Sequence, residues 1–289
     1  MTSRLSPEEL ERKADAYYKR MNNFILNWFS SIDLTQAADF YIQAAQAYCN
    51  TSNYCKSAEL FYRAGEILLQ ENKEESMYEA SSAFVKSAES FYIIDKEKSA
   101  RAYAKSFEIA SHRVGDFSMA AILAVKTAKI YREIKEEKEA LSYLYKATEL
   151  YGNAQMKVNR RNIISMCAEL EMRQKNYEQA FHLYKDLILD DSNISQIIEK
   201  TTHQFSAILC GIILGKTKEC TEILNDMEES KTETKIALHM ISIKTGREAD
   251  HEGLETEIAY LRRTSKIAPE IGLALQDVQM SIDPDNDIL

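Results

Sequence analysis

Helix breakers are nearly missing from this chain. Its 289 residues include three prolines and eight glycines, and the prolines (Pro7, Pro269, Pro284) lie near the two ends. Little therefore stops a helix through the middle. No apolar run approaches the roughly 18 residues that a membrane span requires. There is no surplus of positive charge: the net charge of −9 disfavours nucleic acid as a partner, although a local basic strip is still allowed. The five cysteines (Cys49, Cys55, Cys167, Cys210, Cys220) are odd in number and lack a CxxC spacing, so they read as reduced, mostly buried thiols. The opening Ser6-Pro7-Glu8-Glu9-Leu10-Glu11 is a helix start, with proline and acids in its first turn, and not a signal peptide. A soluble, intracellular protein is expected.

Signs of chemistry are equally sparse. The histidines are scattered without HExxH or paired spacing, so neither a metal site nor a cofactor is expected. No glycine-flanked serine suggests a nucleophile elbow. Gly211-Ile212-Ile213-Leu214-Gly215-Lys216-Thr217 resembles a phosphate-binding loop, but three residues separate the glycines where four are needed. Its setting, one helix ending and another beginning, is also wrong. The chain is not read as an enzyme.

What is present is a repeat. A small residue followed three positions later by a large one recurs as Ala58/Phe61, Ala100/Tyr103, Ala140/Tyr143, Ala180/Leu183 and Cys220/Ile223, in steps of 42, 40, 40 and 40 residues. A second series interleaves with it at Ala88/Phe91, Ala128/Tyr131 and Ala168/Glu171. Two series per period mean two helices per repeat, each admitting its neighbour closely at the small residue. A fixed period of this size marks a helical-hairpin solenoid. The expected fold is all-α, a right-handed superhelical solenoid of tetratricopeptide-like hairpins with a repeat of about 40 residues. Gly115 should close one helix before Asp116 caps the next, and Gly152-Asn153 should do the same after Tyr151. The linkers Glu71–Glu75 and Lys135–Lys138 read as solvated turns. Beyond Asp190 the alanines thin out, and helices near 194–214, 217–228, 232–245, 250–263 and 270–281 read as a C-terminal bundle. The expected organisation is 1–190, 191–282 and a flexible acidic tail, 283–289.

Three stretches invite a functional reading. Residues 22–33 bracket Phe24, Ile25, Leu26, Trp28 and Phe29 with asparagines and serines, which makes a loop. Those side chains either tuck onto the first hairpin or form an exposed apolar patch that dips into lipid headgroups. Lys126 and Lys129, one turn apart, and Arg160 in a later hairpin fall at spacings that allow one strip. That strip is either an ordinary solvated face or one that steers an acidic partner. The end, Asp283-Pro284-Asp285-Asn286-Asp287-Ile288-Leu289, carries three acids before two aliphatics.

With the repeat, the apolar loop and this tail in place, the chain resembles the alpha-SNAP family of soluble NSF attachment proteins over essentially its full length. Gly115-Asp116-Phe117-Ser118-Met119-Ala120-Ala121, Ala128-Lys129-Ile130-Tyr131, Glu139–Tyr145 and Asn176–Ala180 look like successive family helices. The resemblance implies an adaptor, cytoplasmic and peripheral on membranes, monomeric when free. Several copies would bind an assembled SNARE four-helix bundle and recruit the hexameric AAA ATPase NSF, which then takes the bundle apart after membrane fusion. It implies that Phe24, Ile25, Leu26, Trp28 and Phe29 attach to the membrane. It also implies that Asp285, Asp287, Ile288 and Leu289 stimulate the ATPase, with Ile288 where the family has leucine. Where the family places basic SNARE contacts, this chain has Ser52, Asp116, Ile122 and Asn162. Lys126, Lys129, Arg160, Arg161 and Lys200 are the candidates to supply that charge. A tetratricopeptide-type peptide scaffold or chaperone co-factor is the alternative; it gives no reason for the loop or the tail.

Overall fold

A computed structural model describes residues 5–21, 34–71, 73–189, 197–246, 250–264 and 267–282. The apolar stretch 22–33 and the tail 283–289, with every site residue assigned to them, lie outside the described residues. Among those described there are fourteen α-helices and no strand. In chain order they are α1 (Pro7–Met21), α2 (Leu34–Asn50), α3 (Tyr54–Glu71), α4 (Glu74–Ile94), α5 (Lys96–Glu108), α6 (Phe117–Glu133), α7 (Glu137–Asn153), α8 (Lys157–Arg173), α9 (Tyr177–Leu189), α10 (Ile197–Ile213), α11 (Thr217–Leu224), α12 (Thr232–Lys244), α13 (His251–Thr264) and α14 (Pro269–Ile282). A π-helical turn, Ile109–Val114, follows α5.

Helix starts follow from local chemistry. Ser6 Oγ accepts from Glu9 N (3.2 Å) while Ser6 N donates to Glu9 Oε2 (2.9 Å), a reciprocal capping box that begins α1. Asp95 is the only residue between α4 and α5; its carboxylate accepts from Lys98 N at 3.0 Å. Asp116 accepts from Met119 N at 2.9 Å to start α6, after Gly115 at φ +74°, as the sequence predicts.

The repeat alanines do what their spacing implies. Ala58, Ala100, Ala140, Ala180 and Cys220, and the second series Ala88, Ala128 and Ala168, are all fully buried. Helices come close enough there for side chains to reach a neighbour's backbone. Ser87 Oγ donates to Ala58 O (2.8 Å) and Ser99 Oγ to Ala88 O (2.7 Å). At Gly65 an added Cβ would stand 2.9 Å from the Phe84 ring.

By proximity the chain divides into two compact units, residues 1–160 and 161–289. In the first, α1 to α7 pack mainly against their neighbours in sequence, as a hairpin stack does. Its core holds Tyr41, Phe61, Leu68 and Phe84. In the second, α10 touches α9, α11, α12 and α14, a bundle-like arrangement around one central helix. Its core holds Phe181, Phe205, Ile208, Met240 and Leu275. The sequence division near 190 marks where the alanine repeat fades, and the compact units meet at residue 160 of the chain.

Three local expectations are corrected. Helix α7 runs through Gly152 to Asn153, and the left-handed residue that closes it is Gln155 (φ +57°). Glu71 is no solvated linker residue: its side chain is 6% exposed. Its oxygens accept from Thr35 N (3.3 Å), Thr35 Oγ1 (3.0 Å) and Ser76 Oγ (2.5 Å). One carboxylate thereby caps a backbone N–H in the first turn of α2 and holds the Ser76 hydroxyl in the first turn of α4, where the helix dipole favours negative charge. Helix α11 ends at Leu224 instead of near 228, because Asn225-Asp226-Met227 turns.

Candidate functional site

Helix α6 exposes one stripe: Met119, Ile122, Lys126, Lys129 and Glu133. Forty residues earlier α4 exposes the equivalent stripe, Glu79, Ser82, Lys86, Glu89 and Ile93. The opposite sides of both helices carry the repeat alanines, so this side is left to solvent. Between the stripes lies a cleft of about 290 Å³ lined by Glu89, Tyr92, Tyr103, Lys126, Lys129, Ile130 and Glu133.

The cleft has an aromatic floor and charged walls. Lys126 Nζ stands over the Tyr103 ring, 5.3 Å from its centroid, and Lys86 stands over Phe61 at 5.8 Å in the same way. Burial, with the Glu89 carboxylate nearby, pushes the Tyr103 hydroxyl up to about 12, so it stays neutral at any physiological pH. At the far wall Glu133 binds Lys96 Nζ (2.6 Å) and accepts from Tyr92 Oη (3.0 Å). Hydrogen bonds from Lys96 and Tyr92 hold that carboxyl below the usual range. Glu133 thus has partners of its own beside the lysines.

The five basic candidates divide between the two units. Lys126 and Lys129 share the cleft. Arg160 is exposed and lies against the end of α7, its Nε 3.6 Å from where a Gly152 Cβ would stand. In the second unit Arg161 donates to Leu187 O (2.8 Å), closing the end of α9, and Lys200 pairs with Asp226 (2.9 Å). Sequence reasoning missed Tyr92, Tyr103 and Glu89; the 40-residue offset between Lys86 and Lys126 was the available signal.

On the α3/α5 side, a second cleft of about 490 Å³ is lined by Glu59, Tyr62, Arg63, Glu66, Phe91, Lys98 and Arg101. Its cations are already paired: Arg63 with Asp15 (3.1 Å), Lys98 with Asp95 (3.6 Å) and Arg101 with Glu97. It is not the open cationic clamp that a peptide-binding scaffold requires.

The phosphate-loop lookalike has a packing explanation. A Cβ at Gly211 would stand 2.4 Å from Cys220 Sγ and 3.0 Å from the Phe181 ring, so that glycine permits a helix crossing. Gly215 (φ +73°) closes α10, and Lys216 binds Glu178 at 2.6 Å. No group of three or more metal-ligating side chains occurs among the described residues, and no described helix is long and apolar enough to cross a membrane.

The fold and this face define an all-α protein of tetratricopeptide-like hairpins that presents a sculpted, mixed-charge helical surface. The profile of the family "Soluble NSF attachment protein, SNAP" matches residues 5–266, and the chain belongs to that family of non-enzymatic adaptors. It is 24% identical over 229 residues to a soluble NSF attachment protein homolog of fowlpox virus, covering 75% of this chain and 81% of that protein. Among solved structures it is similar to a Pyrococcus horikoshii signal-transduction ATPase with a tetratricopeptide repeat sensor (14% identity, TM-score 0.49). That likeness covers 96% of this chain and 46% of the other, so the chain spans less than half of that protein's length. It is also similar to PilF of Pseudomonas aeruginosa (12% identity, TM-score 0.39, 84% of this chain and 99% of the other).

Proposed function

We propose that this adaptor binds an assembled SNARE four-helix bundle and recruits the AAA ATPase NSF to take it apart. The observation that carries the reading is family membership across residues 5–266, joined to an exposed helical face with two lysines in one cleft. Rods of packed helices present rows of charged side chains, and a wall of parallel helices offers matching rows at hairpin spacing. Lys126 and Lys129 supply positive charge on that wall; Arg160, Arg161 and Lys200 are secondary candidates. Several copies would surround one bundle. Phe24, Ile25, Leu26, Trp28 and Phe29 would insert into the membrane surface that holds the SNAREs, which raises local concentration without a permanent anchor. Asp285, Asp287, Ile288 and Leu289 would contact the hexamer. The adaptor itself performs no bond chemistry in this scheme.

The test is NSF-driven disassembly of SNARE bundles reconstituted on liposomes. The wild-type chain is expected to stimulate it. The triple variant Phe24→Ser, Trp28→Ser, Phe29→Ser should lose the gain that liposomes confer while matching wild type on detergent-solubilised bundles. Equal stimulation of the triple variant on liposomes would remove the loop's role, and no stimulation by wild type would remove the function.

A further inference from the structure

Charge explains only half of the face carrying Lys126 and Lys129. Over the first turns of α6, Met119 and Ile122 are 40% and 44% exposed, neighbours on the stripe that continues to Lys126 and Lys129. Singly, exposed apolar residues need no explanation; grouped at one end of a helix face, they do.

Electrostatics divides the same face. On α4 the ranks level with Met119 and Ile122 are Glu79 and Ser82. Glu79 lies within the influence of Asp39, Glu71 and Glu75, and burial together with these neighbours holds its carboxyl above the usual range. An acidic partner surface is repelled from that end. At the other end Lys126 and Lys129 attract it. From Ile122 to Lys126 is four residues, about 6 Å, and from Met119 to Lys129 ten, about 15 Å along the helix.

We infer that the face of α4 and α6 selects a helical bundle whose surface passes, within about two helical turns, from an apolar band facing Met119 and Ile122 to an acidic band facing Lys126 and Lys129. This rests on the SNARE-bundle reading above and adds the chemistry that chooses among such bundles. A uniformly acidic rod meets lysines at one end and an apolar patch beside Asp39, Glu75 and Glu79 at the other. A rod with the split surface satisfies both ends at once.

The experiment measures affinity for an assembled bundle of recombinant SNARE core segments at 0.1 and 0.5 M salt, using titration calorimetry. Met119→Ser with Ile122→Ser is expected to weaken binding roughly tenfold or more at both salts, because the lost contribution is apolar burial. Lys126→Ala with Lys129→Ala should weaken it at low salt and much less at high salt. Met119→Lys with Ile122→Lys separates the alternatives most sharply: weaker binding supports the split face, and tighter binding overturns it. Wild-type binding with no change in the serine pair would also overturn it while leaving the SNARE reading intact. No binding by wild type would sink both. All four positions are exposed, and unchanged melting curves confirm that the variants are folded.

Discussion

A methyl group at Gly211 has nowhere to go, with Cys220 Sγ 2.4 Å and the Phe181 ring 3.0 Å from where it would sit. Cys220 is the last small residue of the repeat, so this contact continues the alanine crossings of the earlier hairpins. Gly211→Ala is expected to destabilise the chain by about 1–3 kcal/mol through overpacking. Adding Cys220→Ala removes the obstructing sulfur and should recover part of that loss in a double-mutant melting cycle. Strictly additive effects would mean that the two residues do not press on each other. In the sequence Gly211 looked like half of a phosphate loop, because spacing alone does not tell a glycine used for close packing from one used for backbone freedom. The buried alanines were legible because their period is independent of which neighbour they meet. The cleft around Lys126 was not, since Tyr103 and Glu89 come from two other helices and only the packed hairpins bring them to it.

The turns between helices show what an element costs when glycine is scarce. Asn53 N to Tyr48 O, Glu136 N to Tyr131 O, Met156 N to Tyr151 O, Asn176 N to Glu171 O and Lys216 N to Gly211 O are one closing bond repeated at five helix ends (2.8–2.9 Å). Each needs a left-handed residue just before the donor. Gly215 provides it in the last; Ser52, Lys135, Gln155 and Lys175 provide it in the others at φ +57° to +65°. A side chain there is strained by roughly 1–2 kcal/mol, while glycine loses more freedom on folding. Lys135→Gly and Lys175→Gly should each stabilise by a few tenths to about 1 kcal/mol in thermal or urea melts. A loss of stability in both would show that the lysines hold the turns by contacts and not merely by tolerating them. Helix positions were readable from caps and the lack of breakers, as with Asp116 and Pro7. Turn positions were not: Gly152 drew attention because it is a glycine, whereas the strained residue three places on is a glutamine.

At the scale of the whole molecule the two units are held by different means. The first relies on sequential hairpins locked at alanines. The second gathers helices around α10 and pins α14 with polar contacts: Glu270 to Arg173 (3.1 Å), and Asp277 to Lys175 (2.9 Å) and to the Tyr177 hydroxyl. Burial opposes ionisation of Asp277, yet its bonds from Tyr177 and Lys175 hold the carboxyl below the usual range. The all-α hairpin fold followed from period and composition. The family followed from the order of motifs and was met by the profile over residues 5–266. Of the candidate site, the pairing of Lys126 with Lys129 was legible from their spacing, whereas the bonds of Arg161 to Leu187 O and of Lys200 to Asp226 come from packing within the second unit that spacing does not give. The proposal that this helical wall holds assembled bundles of helices is put to the proof by pull-down of recombinant SNARE segments, offered assembled and unassembled at equal concentration. Strong preference for the assembled bundle, followed by its release when NSF and ATP are added, is the predicted result; equal capture of single unassembled segments would contradict it.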